Sequence, residues 1–540
     1  MAGTKGQTPR ETASGSAWAP LGIPVFRSLW IATLASNIGT WMHDIGAGWL
    51  MTQLSSSALM VAWVQTATSL PIFLLALPAG ALADIVDRRR HLILVQLFMV
   101  IVTGSLALVT LLGIITPWLL VGMTFAMGIG TAMLMPAWAA IVPELVPRAA
   151  LPSAIALNSM GINVARAIGP ALAGVIVSFA GSGAVFALNA VSYLGVIWVL
   201  IGWRRQPAVS QLPAERMLGA MRSGLRFARH APALQAAAIR GVGFALFASA
   251  AWALLPLVAK RLPDGGPQSF GLLVAAVGAG AVCGALVLPR LRLRLSRNLL
   301  VTLASLLYAG CLYGLATLKH LPALALVMAL SGVAWLTVLS SLQVAAQLAL
   351  PNWVRSRGLA LFMCVFMGSM ALGSLVWGKL AELLSLSQSL TLASVGALFS
   401  VILTRRWHLG GMEELDLSPS MHWPSAPSND ALSHDAGPVL VTIEYELSPD
   451  RVSEFQALVA ALGKLRRQNG AFSWGLYQDA ESPGHFIESF NDDSWLAHLR
   501  QHERVTGDMR ALQQQIQGLL LPGSRPVISH YVAPKLKSPR

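Results

Sequence analysis

Between Arg27 and Thr404 the chain is a succession of apolar stretches, each bounded by a short polar or basic segment. A helix needs about 20 apolar residues to cross ~30 Å of hydrocarbon. Twelve stretches meet that length: 27–52, 58–82, 91–113, 117–140, 153–179, 183–203, 234–259, 269–289, 298–318, 322–349, 358–381 and 386–404. After Arg406 the texture changes. A linker containing Pro419, Pro424 and Pro427 leads to an alternating strand pattern over 439–447 and a helical period over 449–468. Strands are predicted over 472–478 and 485–490, a helix over 492–517 and a closing strand over 526–532.

The order β-α-β-β-α-β is that of the ferredoxin-like split motif. The predicted fold is therefore an all-α polytopic membrane protein of twelve transmembrane helices in two six-helix bundles, plus a small C-terminal α+β ferredoxin-like domain. The expected divisions are a cytoplasmic tail (1–26), an N-terminal bundle (27–203), a cytoplasmic central loop (204–233), a C-terminal bundle (234–404), a linker (405–437) and the α+β domain (438–534). The loop carries Arg216, Arg222, Arg226 and Arg229 at helical spacings. A basic amphipathic helix on the membrane surface and a solvated linker both account for it.

Composition agrees with lipid as the main solvent, since 55% of the residues are apolar and 11% charged, against about a quarter charged in soluble domains. Mean hydropathy is +0.62. The net charge of +14 does not call for nucleic acid, because the last 103 residues are neutral and the excess lies in the membrane part. With a cytoplasmic N-terminus, the inside segments collect most of the Lys and Arg, including Arg88–Arg90, Arg290–Arg297, Arg355, Arg357, Arg405 and Arg406. The outside segments hold Lys260, Arg261, Lys319 and Lys379. That alternation predicts both termini inside, and one missed helix would invert every later assignment. A retained first span is expected rather than a cleaved signal. Cys283, Cys311 and Cys364 fall in apolar runs with neither disulfide nor metal spacing, and read as small core residues.

The segment Gly80-Ala-Leu-Ala-Asp84-Ile-Val-Asp87-Arg88-Arg89 resembles the loop between helices 2 and 3 of the major facilitator superfamily, with Ile85 and Asp87 in place of the family's Arg and Gly. Gly80 permits close helix approach, and Asp84 can face the positive end of a helix from the other half, expected to be the eleventh near Arg357–Gly358. The resemblance implies a conformational gate at Gly80, Asp84, Arg88 and Arg89; a solvated charge run is the plainer account. Paired features such as Gly80-Ala81-Leu82 and Gly284-Ala285-Leu286 point to two repeated halves. Gly161, Gly169, Pro170 and Gly174 in the fifth span resemble the Gly-Pro motif of superfamily exporters, where small residues allow close packing.

Ionisable residues deep in lipid are costly unless paired or facing water. Asp44 in helix 1 and Arg166 in helix 5 are such residues. Their separation and reunion can couple proton uptake to conformation, with neighbouring His43 as a relay; a purely structural ion pair accounts for the same residues. Asn37, Trp41, Gln65, Asn158, Asn163, Trp252, Gln343 and Gln347 are the candidate lining of a cavity suited to a bulky amphipathic molecule.

The runs Ser36–Leu50, Pro136–Ser159 and Arg166–Gly174 resemble the enterobactin-exporter-like, or transmembrane secretion effector, branch. That resemblance implies proton-driven efflux of siderophores, drugs or secondary metabolites at a bacterial inner membrane, with no cofactor beyond the proton gradient. No Walker loop or strand-borne GxGxxG supports ATP drive or redox chemistry. With Trp474, Phe486, Glu488, Phe490 and Trp495, the tail resembles the antibiotic-biosynthesis-monooxygenase type of dimeric α+β barrel. This implies a homodimer, or alternatively a membrane-tethered cofactor-free oxygenase; an uptake permease is the third reading. His498 and His502 share one helix face at i and i+4, but the outer ligands of a usual metal site are missing from the local sequence, so no metal is expected.

Overall fold

The computed structural model describes residues 18–147, 150–203, 217–351, 353–409, 420 and 436–534. The chain forms two compact units, one comprising residues 1–214, 240–341 and 363–406, the other residues 215–239, 342–362 and 407–540.

The first unit is built from long apolar helices: α1 (Pro24–Leu54), α2 (Ala58–Ile85), α3 (Arg88–Leu111), α4 (Pro117–Leu145) and α5 (Leu151–Gly202). After α6 (Met217–His230), which belongs to the second unit, follow α7 (Pro232–Lys260), α8 (Pro267–Arg292), α9 (Arg297–Thr317), α10 (Leu321–Leu348), α11 (Arg355–Leu383) and α12 (Leu386–Thr404). Ten described helices are long and apolar enough to cross a membrane. The 31-residue α1 is not among them, its hydropathy diluted by Arg27, Asn37, His43, Asp44 and Gln53.

The fifth and sixth predicted spans run together as the 52-residue α5. Gly181, at φ 76° and ψ 171°, breaks it internally, a conformation open to glycine because it carries no Cβ. Starts are set by short caps: Ser57, Asp87, Thr116, Ser296 and Ser385 each accept a backbone N–H through the side chain at the N-cap.

In the second unit, β1 (Val439–Glu446), β2 (Ser473–Gln478), β3 (His485–Asp492) and β4 (Val527–Val532) form one sheet in the order β2-β3-β1-β4. All three pairings are antiparallel. Helices α13 (Val452–Asn469), α14 (Trp495–Arg504) and α15 (Gly507–Gln517) accompany it. Strands β1 and β3 alternate in burial, and Val439, Val441, Ile443, Tyr445, Phe486 and Phe490 build the core with Phe455, Val459, Leu462 and Met509.

The single helix expected over 492–517 is instead two. Val505 is extended (φ −66°, ψ 125°), and the run Val505-Thr506-Gly507 is a weak helix former whose Val505 and Thr506 are buried. Helix α6 packs on α13, so in this unit it is covered by the tail. Arg226 donates to Gly470 O at 2.9 Å and pairs with Asp493 at 2.8 Å. Trp353 stacks edge-on with Phe227 and lies under the Arg504 guanidinium at 4.0 Å. Residues 204–216, with Arg216, lie outside the described set.

Candidate functional site

Helix α5 lies between α1 and α8, and its small residues set how closely. A Cβ added at Gly161 would meet the Trp30 indole at 3.4 Å, and one at Gly169 would stand 2.7 Å from Trp41 Cβ. On the other side, a Cβ at Gly174 would come within 2.7 Å of Pro267 O, and one at Gly278 of α8 within 2.7 Å of Ala167 Cα. A Cβ at Gly271 would run into Pro170 O. Of the glycines of the fifth span, Gly161 and Gly169 thus face α1 and Gly174 faces α8, and backbone meets backbone where α5 crosses α8.

The same register explains a correction. Trp30 lies beside Gly161, and Ile38 and Trp41 beside Gly169, so α1 and α5 run parallel with an offset of roughly 130 residues. Arg166 is therefore level with about residue 36, some eight residues below Asp44. At 1.5 Å rise that is about 12 Å. Among the described residues Asp44 makes no hydrogen bond or ion pair, and the two expected partners are not brought together. Arg166 lies instead over the Trp41 ring, its Cζ 5.4 Å from the centroid, with Nε lacking a hydrogen-bond partner. His43 is buried against Phe186, ring centroids 4.9 Å apart. Neither of its nitrogens has a hydrogen-bond partner among the described residues, so nothing there connects it as a relay.

Of the cavity candidates, Trp41 and Trp252 meet at 6.4 Å, and Trp252 continues to Trp335 at 5.5 Å. Trp335 in turn touches Tyr308, Phe244 and Phe366. This aromatic cluster extends the predicted lining into the second half. Gln65 donates to Ser69 Oγ at 3.2 Å, and Asn163 to Ser159 O at 2.9 Å. Asn37 and Asn158 are half-buried; in the second unit Gln343 is half-buried and Gln347 exposed. Arg240 lies within the predicted span 234–259. It is 5% exposed, donates to Asn298 Oδ1 at 2.8 Å and Thr302 Oγ1 at 2.9 Å, and lines a cavity of about 20 Å³ with Phe244, Tyr308 and Ser400. Such a volume holds about one water molecule. The only local signal was an amide and a hydroxyl four residues apart on α9.

At the basic end, Arg88 pairs with Glu144 of α4 at 2.6 Å, and Arg89 donates to Leu200 O and Ile201 O at 2.7 Å. Both arginines thus bind helices of their own half, Arg89 through terminal carbonyls that α5 leaves unpaired. Among the described residues nothing lies within 4 Å of where a Gly80 Cβ would stand. The expected contact of Asp84 lies outside the described residues. At the other end, Ser57 Oγ donates to Glu382 Oε1 at 2.7 Å and Lys260 Nζ to Thr52 O at 2.5 Å, joining α2 to α11 and α1 to α7. Midway, Thr66 Oγ1 donates to Ala371 O at 3.2 Å and Cys364 Sγ to Phe73 O at 2.8 Å.

In the tail, Glu488 is fully buried and accepts from Arg466 Nε at 3.1 Å, Trp474 Nε1 at 2.9 Å and Tyr445 Oη at 2.8 Å. Burial and the Glu488 charge hold the Tyr445 hydroxyl well above the ordinary tyrosine range. His498 Nε2 and His502 Nε2 are 3.2 Å apart, and a third histidine joins them: His530 of β4, its ring 4.8 Å from that of His498. Burial, with His498 nearby, holds His530 below the ordinary histidine range. Only strand register reveals this neighbour, which lies 28 residues from His502.

The sequence model of the family described as transmembrane secretion effector matches residues 15–538. Over 284 residues the chain is 27% identical to the staphyloferrin A transporter of Staphylococcus aureus, covering 51% of this chain and 70% of that one. It is 26% identical over 332 residues to the enterobactin exporter EntS of Escherichia coli O1:K1, covering 59% and 76%. Its fold is similar to a bacterial homologue of the human lysosomal transporter Spinster, inward-facing and unoccupied, with TM-score 0.56 at 14% identity over 74% of this chain and 97% of that one. A POT family transporter bound to 5-aminolevulinic acid gives TM-score 0.58 at 13% identity over 70% and 94%. A match spanning nearly the whole chain, on helices packed as in solved transporters, shows a secondary transporter rather than an enzyme, and the chain belongs to the transmembrane secretion effector family of the major facilitator superfamily.

Proposed function

We propose that this transporter exports a bulky amphipathic small molecule, of the siderophore, drug or secondary-metabolite class, in exchange for protons across a bacterial inner membrane. The observation that carries the coupling is Asp44: a carboxyl group ten residues from the end of α1 with no hydrogen bond or ion pair among the described residues. An acid so placed is costly unless it is used, and it sits on the helix that packs against Gly161 and Gly169 of α5. Export, rather than uptake, is supported by the likeness to an enterobactin exporter. The aromatic cluster from Trp41 to Phe366 suits the ring systems of such cargo. No cofactor beyond the proton gradient is needed.

Counting α1 with the ten apolar helices, and α5 as two spans about Gly181, gives twelve; the basic inside segments then favour both termini in the cytoplasm. The ties Ser57–Glu382 and Lys260–Thr52 act as the outer gate in alternating access. The strand order of the tail is that of the ferredoxin-like split motif. Its open face, with Leu440, Ile487, Tyr477, Val527 and Tyr531, serves self-association; Tyr477 is 62% and Tyr531 57% exposed.

The test is efflux of a preloaded siderophore from cells carrying wild type or Asp44→Asn, with and without an uncoupler. Proton-coupled export predicts that the uncoupler and the substitution each abolish efflux. Efflux that persists in the variant removes Asp44 from the mechanism, and accumulation in place of efflux makes the protein an uptake permease.

A further inference from the structure

Within the C-terminal sheet unit, three histidines from two elements converge. His498 and His502 are one turn apart on α14, and His530 arrives from β4, where it stands opposite Val441 on the helix-covered side of the sheet. Their ligand-capable nitrogens all lie within 4.8 Å of one another. His498 is 1% exposed, and its Nδ1 is 2.9 Å from Oδ2 of Asp492, itself 2% exposed. That bond fixes the ring and turns Nε2 toward the other two histidines, the arrangement by which a carboxylate orients a metal-ligating imidazole. Trp495 covers the group, 5.5 Å from His498 and 6.3 Å from His530.

We infer that His498, His502 and His530 form a binding site for a divalent transition-metal ion of the zinc type, oriented by Asp492. Two nitrogens each 2.0–2.1 Å from a tetrahedral ion stand about 3.4 Å apart, and the two Nε2 atoms are 3.2 Å apart. Bringing the third nitrogen from 4.8 Å to that spacing takes a movement of about 1.4 Å, within the broad torsional range of an imidazole ring. Three neutral nitrogens without thiolate suit zinc, cobalt, nickel or iron in the divalent state, and not calcium or magnesium. The fourth position is left for water or an anionic group. None of these residues lies in a membrane helix.

The experiment uses the full chain without a histidine tag, purified in detergent and freed of metal with a chelator. Titration with Co²⁺ is expected to give the visible band of a tetrahedral ion, saturating at one equivalent and bleached by Zn²⁺. His502→Gln and His530→Gln, both half-exposed positions, each weaken binding by on the order of 10-fold or more, as does Asp492→Asn within the ~10–100-fold typical of such orienting groups. Loss of the band in the glutamine variants, with metal-free thermal stability unchanged, supports the site. An absent band, or an equal affinity in wild type and both variants, overturns it and leaves the histidines as a hydrogen-bonded packing group. Efflux is measured alongside, and its failure bears on the export reading and not on this site.

Discussion

In the C-terminal unit Arg466 of α13 and Glu488 of β3 are both fully buried and stand 3.1 Å apart, with Trp474 and Tyr445 filling the remaining acceptor positions. In the membrane helices Asp44 and Arg166 are separated by about 12 Å of helix rise, and among the described residues neither has an ionic partner. The first arrangement is closed, since every charge is neutralised where it stands and removing one member strands the other. The second is open: neither charge meets an opposite charge among the described residues, and the guanidinium rests on the Trp41 ring. Buried charge in one region therefore holds a structure, and in the other, on the coupling proposed for Asp44, it is available for work.

The comparison can be broken most forcefully at the closed pair. Glu488→Ala should destabilise the sheet by about 3–5 kcal/mol, the usual consequence of leaving a buried partner charge unpaired, seen as faster amide exchange over β1 and β3 in the full chain. Unaltered exchange would make the pair dispensable. Next comes Asp44→Asn, expected to slow efflux on the order of 100-fold, or ~2.7 kcal/mol in barrier height, with expression and thermal stability as in wild type. A loss of stability matching the loss of efflux would move Asp44 to the structural class. Gly278→Leu should cost about 1–3 kcal/mol by overpacking against Ala167, read as a lowered Tm in detergent together with reduced transport. The smallest effect is Arg166→Gln, which removes a cation–π contact worth ~0.5–2 kcal/mol; efflux should fall several-fold and stay sensitive to the uncoupler. Complete loss of coupling there would mean that Arg166 meets Asp44 in another state of the cycle.

Much of this was legible in the sequence because it is local. Apolar runs of membrane length, the α5 glycines and the alternation of β1 and β3 are properties of neighbouring residues. Depth in its own helix does not tell what Asp44 or Arg166 faces, because the offset between α1 and α5 is set by which side chain fits over which glycine. The tail helix was expected whole because its apolar period continues through Val505, although the backbone turns there. His530 escaped notice for a related reason: its proximity to His498 depends on the pairing of β4 with β1, and nothing near His530 in sequence announces it. Arg240 lies within a predicted span, and its partners, Asn298 and Thr302 on α9, are distant in sequence.

Gly181 has a consequence for how the chain is handled. Because α5 passes from one half of its length to the other with a single non-helical residue and no loop, the two halves leave the synthetic machinery as one hairpin with almost nothing at its tip. An epitope or cleavage tag inserted there would have to unwind helix to be displayed.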